Sequence, residues 1–216
     1  MKIISLNVGL PRTVQDARGQ DVLTSIFKSA VAGPRLLRRM NLDGDLQSDL
    51  TVHGGKNKAV YAYPSEHYAE WARELAGADL PWGAFGENLT TEGLREGDLR
   101  IGDRLRVGSA ELVVTQPRMP CYKLMIRFGR EDMVKRFLRS GRSGFYFAVR
   151  QEGDVGRGDA IELVARAEQD VTVADISSLY THDADNQPLL RRAVDLAALP
   201  ESWRDYFRKR LWQPDT

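Results

Sequence analysis

The sequence predicts a mainly β protein with helices, an α+β fold in which a β-rich domain over residues 1–165 precedes a small three-helix extension over 166–216. Three observations carry this expectation. Lys2 to Val8 (KIISLNV) is a β-branched and apolar run closed by Gly9 and Pro11. Leu99 to Thr115 alternates apolar and polar residues on both sides of Gly108-Ser109, the pattern of a tight hairpin. After Ala165 the period changes from two to roughly 3.6, the signature of helix.

The elements follow in order. Lys2 to Val8 is the opening strand, and a polar loop runs from it to about Gln20. Tyr61 to Tyr63 close a second strand-like run, after which Pro64-Ser65 opens a helix that presents Tyr68, Trp71, Ala72 and Leu75 on one face and stops at Gly77. Leu105 and Val107 before the Gly108-Ser109 turn, and Leu112 and Val114 after it, face one side of a hairpin. An internal echo supports the β assignment: Glu96 to Val107 reads EGDLRIGDRLRV and Glu152 to Leu163 reads EGDVGRGDAIEL. Each is a Gly-Asp turn feeding an alternating strand, which is repeated turn chemistry within a barrel and not a solenoid. Between them Glu131 to Leu138 is helical up to Gly141, and Phe145 to Val149 is a buried strand. In the extension, Thr172 to Asp175 is a capping box with Asp in place of Glu, starting a helix striped by Val173, Ile176, Leu179 and Tyr180. Leu189 to Leu199 gives a second helix, and Pro200 in a first turn opens a third with Trp203, Phe207 and Leu211 on one face. Arg208, Lys209 and Arg210 then complement that helix's C-terminal dipole, with a docking surface for an acidic partner as the lesser reading.

Composition removes several functions. The chain has 31 Lys plus Arg against 30 Asp plus Glu, a formal charge of +1, so no overall field recruits nucleic acid or an anionic membrane. No segment approaches the roughly 20 apolar residues that span a bilayer, and MKIISLNVGLPR turns polar too soon for a signal peptide, so the expected location is the cytosol. One cysteine, Cys121, excludes an internal disulfide, a protein-ligated iron–sulfur cluster and a CxxC pair. It is then either a reactive thiol or a small buried hydrophobe.

Four stretches could carry chemistry. In TQPRMPCYKL (Thr115 to Leu124) Pro117 and Pro120 stiffen the loop that holds Cys121, and Arg118 and Lys123 favour its thiolate, the form that binds soft metals. In VHGGKNKAVYAY (Val52 to Tyr63) Gly54 and Gly55 with Lys56 and Lys58 form a plausible phosphate nest, although the spacing is neither a Walker loop nor a Rossmann fingerprint. His53 there is open to a structural or a site role, whereas His67 and His182 are structural or exposed. In GAFGENLTTEGL (Gly83 to Leu94) Glu87 and Asn88 follow Gly86 in a turn-rich loop, and Asn88 could equally complete an Asx turn. In TSIFKSAVAGP (Thr24 to Pro34) Lys28 and Ser29 read, taken alone, as a solvated cation beside a hydroxyl.

Read together, Lys28-Ser29, GDLQSD (Gly44 to Asp49), VHGGKNKAVY, FGENLTTEGL, IGDRL (Ile101 to Leu105) and QPRMPC resemble the MOSC domain, in the bacterial branch linked to resistance against N-hydroxylated purines. The resemblance covers residues 1–165, and the C-terminal helices resemble the extension of that branch. It implies a β-barrel-like domain that binds the molybdenum cofactor, molybdopterin with molybdenum, through the Cys121 thiolate, with Lys28, Ser29 and Asn88 on the cofactor. His53, Gly54, Gly55, Lys58, Glu87 and Arg118 fall in the shared motifs, which puts them around the pterin and its phosphate. The implied reaction is reduction of N-hydroxylated compounds (hydroxylaminopurines, amidoximes, hydroxylamines) to amines. Pro120 before and Tyr122 after Cys121, with no second cysteine, depart from the mitochondrial relatives, so substrate preference does not carry over. With no GxGxxG and no cluster ligands, the electrons must come from a separate reductase partner. Two rival readings stand beside this: a cofactor or sulfur carrier without turnover, and a metal-free thiol hydrolase using Cys121 with His53 as base.

Overall fold

The computed structural model describes residues 1–48 and 54–212. In chain order its strands and helices are β1 (Lys2–Val8), β2 (Arg12–Gln15), β3 (Asp21–Thr24), β4 (Ser29–Ala30), β5 (Arg35–Leu37), β6 (Val60–Pro64), α1 (Glu66–Glu74), β7 (Leu89–Glu92), β8 (Arg104–Val107), β9 (Ala110–Pro117), α2 (Tyr122–Phe128), α3 (Met133–Ser140), β10 (Phe145–Gln151), β11 (Gly153–Val155), β12 (Ile161–Ala165), α4 (Val173–Thr181), α5 (Gln187–Val194) and α6 (Glu201–Arg208). A single turn of 3-10 helix at Lys56–Lys58 precedes β6. The α+β class is as expected from the sequence.

Eight strands form the main sheet in the order β12-β8-β9-β10-β6-β7-β1-β4, with β6 and β7 parallel and the other pairs antiparallel. The barrel expectation needs correction, because this sheet is not a closed barrel. It curls until β1 meets the turn that enters β12, but they share only the bridge Lys2–Ala160, flanked by bonds from Ile3 N–H to Asp159 O (3.0 Å) and from Gly158 N–H to Ile3 O (2.8 Å). The other edge of β1 is paired with β7, and at Asn7 and Val8 β1 pairs with β4.

The two echoed turns share one chemistry. Gly102 and Gly158 have φ of 96° and 94°, and the following Asp103 and Asp159 carboxylates accept from the N–H three residues back, Arg100 (2.9 Å) and Gly156 (2.7 Å). The strands they feed, β8 and β12, pair with each other.

Other sequence expectations shift locally. The polar loop up to Gln20 contains a hairpin, β2 against β3, whose turn is set by the Asp16 carboxylate accepting from the N–H groups of Arg18 and Gln20 and by Gly19 at φ 76°. Its mostly exposed side chains give no alternation to read. Ala72 lies on the exposed side of α1, where His67 instead joins Tyr68 and Trp71 in burial. The helix expected from Leu189 to Leu199 begins at Gln187, because the Asn186 side chain caps the Leu189 N–H, and ends at Val194; Pro200 precedes α6 as its cap residue.

Apolar side chains gather in two clusters. One fills the curl of the sheet and continues, through Val173, Ile176, Leu179, Leu190 and Phe207, under the C-terminal helices. The other is aromatic, with Tyr63, Trp71, Phe85 and Phe137 packed between β6, α1 and α3. It forms the floor beneath the site.

Candidate functional site

β9 ends at Pro117, and residues 118–120 lead to Cys121, the residue before α2. Cys121 is half-buried and extended (φ −127°, ψ 173°), and its carbonyl accepts the Leu124 N–H at 2.9 Å. α2 has no counterpart among the elements expected from the sequence, since seven residues give too few turns for a helical period to show.

Arg118 ties this loop to the one from Gly83 to Asn88. Its Nη1 donates to Phe85 O at 2.6 Å, and its guanidinium stacks over the rings of Tyr61 (5.0 Å) and Phe137 (5.4 Å). Burial opposes the charge, but the phenols of Tyr61 and Tyr146 and the thiol of Cys121 favour it, and the balance holds the guanidinium protonated. Glu87 lies below, wholly buried. Its Oε1 accepts from Gly83 N–H (2.8 Å), Thr90 Oγ1 (2.9 Å) and Tyr68 OH, and Oε2 accepts from Phe85 N–H (3.1 Å). Desolvation raises its carboxyl above the ordinary 4.5 against the opposing effect of those donors. Gly86 completes the loop at φ 79°, where a Cβ would lie 2.9 Å from Ile26 Cγ1.

A buried polar chain joins the remaining loops. Asp45 Oδ1 accepts from Gly9 N–H (2.8 Å) and Lys28 Nζ, and its Oδ2 accepts from Asn88 Nδ2 at 2.9 Å. Asn88 Oδ1 accepts the Tyr61 N–H at 3.2 Å and its Nδ2 donates to Asn7 O at 3.3 Å, so this side chain links β6, β1 and the Asp45 loop and makes no Asx turn. The Lys28 side chain, 8% exposed, is not the solvated cation of the isolated sequence reading. Desolvation lowers its pKa although Asp45 and the proximity of Glu87 pull the other way. Gln47 staples the glycine loop, accepting from Gly55 N–H (3.0 Å) and donating to Lys58 O (3.1 Å).

Lys28, Lys58, Asn88, Arg118 and Cys121 thus line one open cleft. Asp45, Gln47, Lys123 and Tyr146 share its wall. Lys123 is the second cation that the sequence placed beside the thiol, whereas Asp45, Gln47 and Tyr146 were not singled out there, although Asp45 and Gln47 sit in GDLQSD. Ser29 is exposed on β4, Gly54 and Gly55 stand off the wall, and Glu87 is beneath it. Gly55, at φ 95° with open space beside it, is required by its backbone. His53 lies outside the described residues. Neither described histidine is in the cleft: His67 is buried against Glu96 (2.9 Å), and His182 is exposed, bonded to Ser178 and Thr181.

Lys123 is 8% exposed, and among the described residues no hydrogen bond or ion pair engages its ammonium. With four cations against one aspartate among the described residues, the wall complements an anion. Among the described residues no group of three His, Cys, Asp or Glu is placed to hold a bare metal ion. The donor set therefore fits an anionic ligand that brings most of its own metal coordination and takes one thiolate from the protein.

The MOSC domain model matches residues 49–162, and the model of the YiiM-like, 3-alpha helix domain matches residues 171–213. The chain is 42% identical over 208 residues to YflK of Bacillus subtilis (strain 168), covering 96% of this chain and 93% of that one. The crystal structure of YiiM from Geobacillus stearothermophilus superposes with a TM-score of 0.82 at 37% identity, covering 98% of this chain and 99% of that one. A protein of Gibberella moniliformis (strain M3125 / FGSC 7600) named Reductase is 34% identical over 166 residues, which are 76% of this chain and 29% of that protein.

Proposed function

The chain belongs to the MOSC family and carries a YiiM-like three-helix domain at its C-terminus, and on that premise we propose that it is a molybdenum-cofactor-dependent reductase of N-hydroxylated compounds. The observation that carries the reading is the lone thiol of Cys121 on a cleft walled by Lys28, Lys58, Arg118 and Lys123. MOSC domains are associated with binding this cofactor, and the fungal relative is named a reductase. The overall change is R–NHOH + 2 e⁻ + 2 H⁺ → R–NH₂ + H₂O.

Bound molybdenum would supply the two-electron couple and the affinity for oxygen that no side chain of this protein offers. Cys121 is the residue that would bind the metal. Lys58, Arg118 and Lys123 would offset the charge of the pterin phosphate and dithiolene, and Lys123, engaged by no hydrogen bond or ion pair among the described residues, would gain an anionic partner. Arg118, fixed by Phe85 O and two rings, holds the cysteine loop in place. The Lys28–Asp45–Asn88 chain sets the opposite wall. Electrons come from a separate reductase. The Gibberella protein, of which this chain matches less than a third, has room for such a module.

Molybdenum analysis of wild type and Cys121→Ser, purified from cells able to make the cofactor, tests the reading. Near-stoichiometric metal in the wild type and its loss in the variant, together with reduction of an amidoxime by the wild type under an artificial donor, is the expected result. Absence of both molybdenum and oxidised-pterin fluorescence in the wild type would sink it.

A further inference from the structure

Met119, two residues before Cys121, lines the cleft on one side and on the other a shallow aromatic recess bounded by Tyr180 of α4 and Ser202, Trp203 and Tyr206 of α6. The two depressions thus lie side by side and share that one side chain in their walls. The rings form a cluster: Tyr180 is 5.6 Å from Trp203 and 5.5 Å from Tyr206, centroid to centroid. Phe207 beneath them is buried, yet Tyr180 stays 40% exposed and the rings of Trp203 and Tyr206 are only partly covered. The cluster is also fixed relative to the site. Trp203 Nε1 donates to Gln116 Oε1 at 2.6 Å, and the Gln116 amide donates to Asn57 O at 3.3 Å, next to Lys58. Arg210 stacks on Tyr206 at 4.5 Å, which steadies that ring from the far helix end.

Partly open aromatic faces beside a polar, cation-lined cleft suit a flat ligand whose reactive end points into the cleft and whose ring system lies outside it. We infer that Tyr180, Trp203 and Tyr206 form the substrate-stacking wall of the site, and that the C-terminal helices thereby select N-hydroxylated compounds carried on a planar heteroaromatic ring over aliphatic ones. This rests on the reductase reading for the reaction, but not for the binding of the ring itself.

The test therefore has a binding arm and a kinetic arm, both on the full-length, cofactor-loaded protein. Adenine, a planar heteroaromatic amine, and acetamidine, a flat but non-aromatic one, are titrated calorimetrically into wild type, Tyr180→Ala and Tyr206→Ala. Loss of one stacking partner should weaken adenine by about 10-fold and leave acetamidine unchanged, while Tyr206→Phe keeps wild-type affinity. In turnover with an artificial donor, KM for an aromatic amidoxime should rise by about the same factor with kcat unchanged, and KM for acetamidoxime should not move. Adenine binding with this tyrosine dependence in a protein that turns nothing over would sink the reductase reading and leave the stacking wall standing. Equal affinities in all variants, or equal losses for aromatic and aliphatic ligands, would overturn the wall. So would variants that slow only the reaction driven by a protein electron donor, since the recess would then be that partner's docking surface.

Discussion

Asp45 holds three donors at once, the Gly9 N–H, the Lys28 ammonium and the Asn88 amide, and its side chain is 4% exposed. Asp45→Ala would leave the Lys28 charge buried without a counter-ion, and the expected loss is about 3 kcal/mol in urea denaturation; a loss below about 1 kcal/mol would mean that water reaches the pair. Glu87 gives a pH-dependent prediction. Because burial raises its folded-state pKa above the ordinary 4.5, the folded protein binds this proton more tightly than the unfolded chain. Its contribution to stability is complete below pH 4.5 and is lost as pH climbs through the folded-state value. Glu87→Gln, which cannot titrate, should therefore close its stability gap with wild type as pH rises above 4.5, and a gap that does not change with pH would count against titration of Glu87. At this scale the sequence was only partly legible. Lys28, Lys58, Asn88, Arg118 and Cys121 could be picked out by their motifs, but the burial of Lys28 depends on an aspartate 17 positions away, in a separate loop, and no local pattern encodes that meeting.

Among the elements, α4 is the one whose start could be read most directly. Thr172 Oγ1 accepts the Asp175 N–H at 3.0 Å, and the Asp175 carboxylate accepts the Thr172 N–H at 2.8 Å, so Asp serves where Glu is usual. Thr172→Ala should cost about 1 kcal/mol and lower Tm, while Thr172→Ser should be nearly neutral; calorimetry of the two variants separates the lost cap from a packing defect. The β8–β9 hairpin was legible for a different reason. Gly108 has φ 54°, and a Cβ there would lie 2.2 Å from Asp154 O, so backbone and packing both demand the residue that marks the turn. The β2–β3 hairpin and α2 were missed because one is held by turn chemistry on an exposed ribbon and the other is too short to display a period.

For the molecule as a whole, the apolar interior does not stop near residue 165. It runs from the sheet through Val173, Ile176 and Leu179 to Phe207. Wild type should accordingly melt in one calorimetric transition, and a chain ending at residue 165 should lose cooperative unfolding, because the face under α4 would open to water; two resolved transitions in the intact chain would refute this. Among the described residues no helix is long and apolar enough to cross a membrane. The alternation of the strands made the β class legible, but not how far the sheet would close, since closure depends on pairing between segments more than 150 residues apart, at Lys2 and Ala160. The repeated Gly-Asp turns give that partial closure a geometric meaning. Gly102 N–H bonds Val114 O and Gly158 N–H bonds Ile3 O, both at 2.8 Å, while Asp103 O and Asp159 O accept from those same two residues at 3.0 Å. A local pseudo-twofold axis therefore exchanges β8 with β12 and β9 with β1, and it passes through the pair Arg106–Glu162, the equivalent positions of the two echoes, which face each other in register. In a perfectly symmetric pair that position would meet its own copy, and any charge there would repel itself. Here the two positions carry opposite signs and lie 3.8 Å apart, so the difference between the two echoes turns the self-facing position into an attraction.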